Sequence, residues 1–306
     1  MRRWKTMLFI AVFLFLSAVL QGCTGGAAEE EAAALRDSTP SVRATRQGTQ
    51  PLLASKEAVL DAAYAEDGYV SAKLQLSGTR VKLQITGPDA VTYTYELQTV
   101  GQYEVFPLTA GSGDYQIGLY KNIKGTTYAG IGSAKLTVTL KDEFAPFLTP
   151  NQYVNFTSDA QTVQTAEKLA QTCKDDLAVV KKVYEYVTQN IAYDSARAED
   201  VKSTYLPDVD QVLSAQKGIC FDYAALMTAM LRSQRIPCKL VIGYAGEVYH
   251  AWISVYTPET GWREKIIFFD GKTWTRMDPT FAAGRKDPSV TAFIGDGKNY
   301  NEMYVH

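Results

Sequence analysis

Residues 217–237 read KGICFDYAALMTAMLRSQRIP. Tyr223, Leu226, Met227, Met230 and Leu231 recur at the three- and four-residue spacing that lines one face of a buried helix. Pro237 stops the run, and Gly218 permits a tight turn before it. Cys220 therefore sits at, or just inside, the start of a core helix. The unpaired N–H groups and the positive end of the dipole there favour a thiolate. The same N–H groups can hold an oxyanion on a carbonyl attacked by that sulfur. Three readings of Cys220 stand side by side: a small core residue, a disulfide partner, or a nucleophile.

A cysteine nucleophile needs a base. The chain has two histidines. His306 is the last residue of the sequence and is expected to fray. His250 lies in KLVIGYAGEVYHAWISVY, residues 239–256, whose β-branched and aromatic segments read as two paired strands, with His250 opening the second. Downstream, GKTWTRMDPTF, residues 271–281, reads as a further strand ending in Asp278-Pro279. An aspartate at a strand end suits the third member of a triad, which fixes the imidazole's tautomer.

Each residue also has a plainer role. His250 alone suits a satisfied strand histidine and Asp278 alone a turn carboxylate. Asp222 suits the positive helix N-terminus, and Trp252 and Trp274 suit core or pocket wall. Cys238 and Cys173 read as packing residues, with a disulfide between them left open.

Gly218-Ile219-Cys220-Phe221-Asp222-Tyr223-Ala224, then His250-Ala251-Trp252, then Asp278-Pro279-Thr280 together resemble the transglutaminase-like superfamily. The order Cys, His, Asp and the intervals between them suit that family. Asn190-Ile191-Ala192-Tyr193-Asp194 resembles its segment upstream of the nucleophile. RIPCKLVIGY resembles its link from helix to sheet, with Arg235 where a glycine is common. The resemblance covers roughly residues 157–285. It implies a papain-like α+β domain in which Cys220 attacks a carboxamide or peptide carbonyl, His250 shuttles the proton and Asp278 orients His250. The backbone N–H of Cys220 would donate to the oxyanion, with Tyr193 or Gln216 as a second donor.

Upstream the period changes to two. YVSAKLQL (69–76), VKLQITG (81–87), VTYTYELQ (91–98), DYQIGLY (114–120) and AKLTVTL (134–140) alternate apolar and polar residues between turn signals. They predict an antiparallel β-sandwich over residues 55–145, of immunoglobulin-like type, followed by the catalytic domain over 150–306. KDEFAPFLTPNQ, residues 141–152, reads as the linker. Thr157 or Ser158 can cap a helix through residue 173, and a second helix starts near Asp175-Asp176.

MRRWK followed by the 14-residue apolar run MLFIAVFLFLSAVL and Gln21-Gly22-Cys23 resembles a bacterial lipoprotein signal over residues 1–23. It implies lipid on Cys23 and an extracytoplasmic, membrane-anchored protein. Residues 24–54 are polar and aperiodic, as in a flexible tether. With Cys23 assigned to lipid, three cysteines remain, so at least one is a free thiol. Neither a CxxC pair nor an EF-hand pattern is present, and neither metal nor cofactor is expected. A net charge of −2 gives no electrostatic footprint for nucleic acid.

Two functions follow. One is a lipid-anchored thiol hydrolase or acyltransferase acting on peptide or side-chain amides, with hydrolysis favoured over crosslinking. The other is a peptide- or wall-binding surface protein whose cleft is vestigial.

Overall fold

The computed structural model describes residues 34–263, 267–269, 274–276 and 300–306. Alternating residues build the first half. Strands β1 (Leu53–Ala54), β2 (Ala58–Asp61), β3 (Tyr69–Leu74), β4 (Val81–Thr86), β5 (Thr92–Glu96), β6 (Tyr103–Pro107), β7 (Gly113–Lys124) and β8 (Thr127–Val138) follow one another. They form two four-stranded sheets, β1-β2-β3-β6 and β5-β4-β7-β8, antiparallel throughout. Val70, Ala72 and Leu74 from one sheet and Val81, Leu83, Ile85, Ile117 and Leu119 from the other share a single buried cluster. Lys82 and Gln84 take the alternate positions, so register and burial agree.

Helices and a second type of sheet follow. They are α1 (Gln161–Ala170), α2 (Asp176–Asn190), β9 (Ala192–Tyr193), α3 (Ser195–Glu199), α4 (Val209–Ala215), β10 (Lys217–Gly218) and α5 (Cys220–Ser233), then β11 (Cys238–Ala245), β12 (Val248–Thr257), β13 (Gly261–Arg263), β14 (Ile267–Phe269), β15 (Trp274–Arg276) and β16 (Tyr300–Val305). Helix α5 is buried along nearly its whole length, packed among α1, α2, α4 and the sheet β13-β12-β11-β16. The Asp175 side chain caps α2 by accepting from Ala178 N at 2.7 Å. For α1 the expected caps Thr157 and Ser158 are not used. The Asp210 carboxylate of α4 accepts from Gln161 N at 3.0 Å and Thr162 N at 2.9 Å instead, a long-range cap that sequence neighbours cannot reveal.

Three expectations are corrected. From residue 34 onward the tether is bound to the fold. Ser41 N donates to Ser233 O at 2.8 Å, Arg36 reaches Gln234 O and Asp176, and β1 pairs with β2. The segment is held because α5 leaves carbonyls exposed at its C-terminal end, and residues 36–41 supply the donors. Arg235 explains the departure from glycine. Its φ is 63°, the left-handed region, which costs a side-chain-bearing residue about 1–2 kcal/mol. Its guanidinium then holds Asp37 and the Thr39 carbonyl.

The linker is likewise buried: Ala145, Pro146 and Phe147 form a 3-10 turn, and Thr149, Asn151 and Gln152 lie inside. Tyr153 and Tyr304 pack against both hydrophobic clusters, and the described residues form one compact unit.

His306 does not fray. It is 3% exposed, exchanges backbone hydrogen bonds with Leu240, and its Nδ1 lies 3.0 Å from the Tyr95 hydroxyl. Tyr93, Tyr95 and Tyr153 surround its ring. Burial, with the nearby Arg232 guanidinium, pushes its pKa from 6.5 down to about 3. Between those values the unfolded chain binds a proton that the folded chain refuses, so stability falls as pH falls, by about 1.4 kcal/mol per pH unit. Urea unfolding at pH 7 and pH 5 is expected to differ by about 2 kcal/mol from this residue, and His306→Asn should remove that part of the difference.

Candidate active site

Cys220 is the first residue of α5, as the helical spacing required. Its approach is built by β9 and β10, a parallel pair that sets Tyr193 beside Gly218. Ala192 N donates to Gln216 O at 2.8 Å and Asp194 N to Gly218 O at 2.9 Å. Gln216, at φ 51°, makes the left-handed turn expected of Gly218. Glycine is needed at 218 for a different reason. A Cβ there would lie 2.6 Å from Asp222 Cβ, and Asp222 must come that close because its Oδ2 accepts from Ile219 N at 2.8 Å. This backbone-to-carboxylate bond fixes the first turn of α5.

Asp222 is fully buried, and desolvation raises its pKa. The Tyr205 hydroxyl donates to its Oδ1 at 2.5 Å, and Arg197 Nη1 donates to Tyr205 at 3.1 Å. Asp222 therefore anchors the loop that forms one cleft wall, a larger part than a helix-terminal charge. Its position three residues after Ile219 was a readable capping signal. Tyr205 comes from an aperiodic loop and carried none.

His250 is 4% exposed, on β12 opposite Gly243 of β11. Gly243 sits where the β11–β16 register shifts. A Cβ there would come within 2.0 Å of Asn301 O and 2.8 Å of the Trp252 ring. The absent side chain lets β16 and Trp252 close in behind the imidazole. The Trp252 ring stacks 6.2 Å from His250 and meets Tyr300 edge-on at 5.1 Å.

Cys220 and His250 line one cavity of about 550 Å³, together with Tyr153, Tyr193, Tyr205 and Tyr249. Val201, Val248 and Tyr249 are exposed in its lining, Tyr249 at 58%, alongside exposed Lys202 and Ser203. Tyr193 thus lines the same cavity as Cys220. Gln216 is not among the lining residues, and its carbonyl is engaged in the β9–β10 pairing. Asp278 lies outside the described residues; β15 ends two positions before it.

The other thiols are unlike Cys220. Cys173 and Cys238 are buried and free, so no disulfide joins them. Burial raises both pKa values, that of Cys238 to about 12. Among the described residues no group of His, Cys, Asp and Glu could hold a metal ion, and no helix is long and apolar enough to cross a membrane.

A cysteine heading a buried helix and a strand histidine thus line one cavity. Residues 163–279 match the family model described as Transglutaminase-like superfamily. The chain is 30% identical over 141 residues to the uncharacterized protein YebA of Bacillus subtilis, covering 40% of this chain and 19% of YebA. It is 28% identical over 117 residues to the uncharacterized protein Rv2569c of Mycobacterium tuberculosis, covering 33% of each. The chain therefore spans a third or less of the length of these relatives. Among solved structures, it is similar to the periplasmic domain of TgpA from Pseudomonas aeruginosa, with a TM-score of 0.34, 17% identity, and 80% of this chain and 73% of that one covered. It is also similar to red sea bream transglutaminase, with a TM-score of 0.30, 12% identity, and 74% and 53% covered.

Proposed function

We propose that this protein is an extracytoplasmic, lipid-anchored thiol enzyme that cleaves or transfers acyl groups of peptide or side-chain amides. The observation that carries the reading is the shared cavity: the one partly exposed thiol among the described residues and the buried His250 line the same cleft. Cys220 Sγ attacks the amide carbonyl, and its proton passes through His250 to the departing amine as the C–N bond breaks. The thioester then yields to water, or to a second amine, with His250 taking the incoming proton. The N–H of Cys220 and the Tyr193 hydroxyl are the oxyanion donors, and Asp278 orients His250. Hydrolysis is favoured because the cleft is open and water outnumbers any amine. The valine and tyrosine rim suits an apolar side chain flanking the reacting amide.

The strand order β2-β3-β6 against β5-β4-β7-β8 supports the immunoglobulin-like reading of the first half; an experimental strand order that broke it would contradict that reading. The basic, apolar, cysteine-ended leader supports the anchor. Cys23→Ser should release the protein from the membrane fraction and end fatty-acid labelling; unchanged labelling contradicts the anchor.

Enzyme and vestigial binder are separated by alkylation. Iodoacetamide at neutral pH should modify Cys220 faster than it modifies glutathione, read by peptide mass, with Cys173 and Cys238 unmodified. A Cys220 no faster than glutathione favours the binder.

A further inference from the structure

The stretch Lys202-Ser203-Thr204-Tyr205 belongs to one wall of the cleft and is held at three points. Tyr205 N donates to Lys202 O at 2.9 Å, which closes the turn. The Tyr205 hydroxyl donates to Asp222 Oδ1 at 2.5 Å, and Gln98 Nε2, from the first half of the chain, donates to Thr204 O at 2.6 Å. The backbone that carries Lys202 is thus fixed, although the residue is exposed.

Lys202, Ser203 and Tyr205 line the same cavity as Cys220 and His250. Among the described residues of that lining none is Asp or Glu, and Lys202 is the one Lys or Arg. Carboxylates elsewhere in this region already hold other cations. Asp194 meets Lys217 at 3.1 Å and Arg197 at 3.8 Å, and Asp222 meets Arg197 at 3.6 Å. Glu199 and Asp200 precede Lys202 on the chain, but they are exposed and lie outside the lining. Asp278, in the thiol-enzyme reading, is matched by His250. An adjoining recess of about 170 Å³ shares Ser203 and Tyr205 with the cleft and has the same bias. There Arg80 forks onto Glu96 at 2.7 Å through both nitrogens, and Lys82 rests over the Tyr128 ring at 4.5 Å. An ammonium on a cavity wall that holds no carboxylate gains from one brought in by a ligand.

We propose that Lys202, with the Ser203 hydroxyl beside it, selects acyl donors that carry a carboxylate within a few residues of the amide reacting at Cys220. This deepens the thiol-enzyme reading and rests on it for the reacting amide. In a peptide donor that carboxylate is a glutamate or aspartate side chain, or the C-terminus. One ammonium and one hydroxyl suit its two oxygens. They lack the forked guanidinium or nest of main-chain N–H groups that phosphate sites use. Val248 and Tyr249, on the β11–β12 side of the cleft, supply apolar contact. The preferred donor therefore combines an acid with an apolar side chain.

The test uses full-length Cys220→Ala protein in detergent, so that binding is read without chemistry. The probes are fluorescein-labelled, acetylated peptides built on one glutamine flanked by alanine and valine. One set is amidated and neutral. A second carries a single glutamate, stepped along either side of the glutamine. A third is neutral in its side chains and ends in a free carboxylate. At low salt one acidic isomer should bind about fivefold more tightly than its neutral counterpart, the upper end for an exposed ion pair. Which set holds that isomer separates a side-chain acid from a C-terminus. About 0.5 M salt should remove most of the preference. Lys202→Gln should bring the ratio of acidic to neutral Kd close to one, and Lys202→Glu should invert it, with melting temperatures unchanged. Lys168→Gln, which removes the same charge from an exposed position of α1 outside the cleft, should leave the ratio as it is. Equal Kd for acidic and neutral peptides, a preference that survives Lys202→Gln, or one lost equally in Lys168→Gln would overturn the assignment. Acylation of Cys220 in the wild-type protein is read separately by mass. An acidic preference in binding with no acylation removes the thiol-enzyme reading and leaves a carboxylate site at Lys202. Acylation with no acidic preference removes the selection by Lys202 alone.

Discussion

Cys220→Ala is expected to abolish acyl-enzyme formation, and His250→Ala to slow it by about three orders of magnitude, the middle of the range for a positioned general base. The two losses differ in kind. Without Cys220 no bond to the substrate can form. Without His250 the sulfur and its oxyanion donors remain, and hydroxide can still remove the thiol proton. Raising the pH should therefore recover part of the His250→Ala rate and none of the Cys220→Ala rate. His250 is buried against Trp252, so melting temperatures must accompany the rates. A variant that melts as the wild type does yet turns over at the wild-type rate would remove His250 from the mechanism.

The largest expected stability loss lies at Arg232. It is 1% exposed within α5, and its hydrogen bonds run to the main-chain oxygens of Thr149, Cys238 and His306. Nε and Nη2 donate to Cys238 O at 3.0 and 2.9 Å, Nη1 to Thr149 O at 2.7 Å, and Nη2 also to His306 O at 2.8 Å. One guanidinium thus ties the nucleophile helix to the start of β11, the end of β16 and the buried junction between the two halves. Burial lowers its pKa to about 10, so it stays charged at neutral pH, with carbonyl dipoles in place of water. Arg232→Leu takes the donor from buried Cys238 O and Thr149 O, while His306 O keeps Leu240 N, and is expected to cost about 2–5 kcal/mol in urea unfolding. Arg232→Lys should recover less than half of that, because an ammonium cannot fork onto carbonyls lying in three directions. A cost below about 1 kcal/mol for Arg232→Leu would mean that the contacts add little.

Much of this architecture is written in short-range pattern. The two-residue alternation of VKLQITG is the alternation of burial along β4. The helical spacing after Cys220 is the buried face of α5, and the two β-branched and aromatic segments around His250 pair as β11 and β12. The discrepancies share one cause: a partner far away in sequence. Residues 36–41 look disordered by composition, yet they supply donors that the end of α5 lacks. Arg235 looks like a departure from glycine until its guanidinium is seen holding that same segment. His306 looks like a loose end because nothing local announces the Tyr95 hydroxyl at Nδ1. At the site itself, chemical type and spacing singled out Cys220 and His250, which the fold brings to one cavity. Tyr205 was not singled out, because its place depends on the buried Asp222. Asp222 sits at the start of α5 as its sequence position suggests, and its contact with Tyr205 is what the sequence did not show.

The central claim is that the Cys220 sulfur, served by His250, becomes covalently bonded to the acyl part of an amide substrate. Intact-mass and peptide-mass spectrometry of the full-length protein, quenched in acid after mixing with a pool of glutamine-containing peptides, tests it most directly. The account predicts an acyl mass increment on the peptide bearing Cys220, present in the wild type, absent in Cys220→Ala and strongly reduced in His250→Ala. An adduct found instead on Cys173 or Cys238, or equal on Cys220 with and without His250, would contradict it.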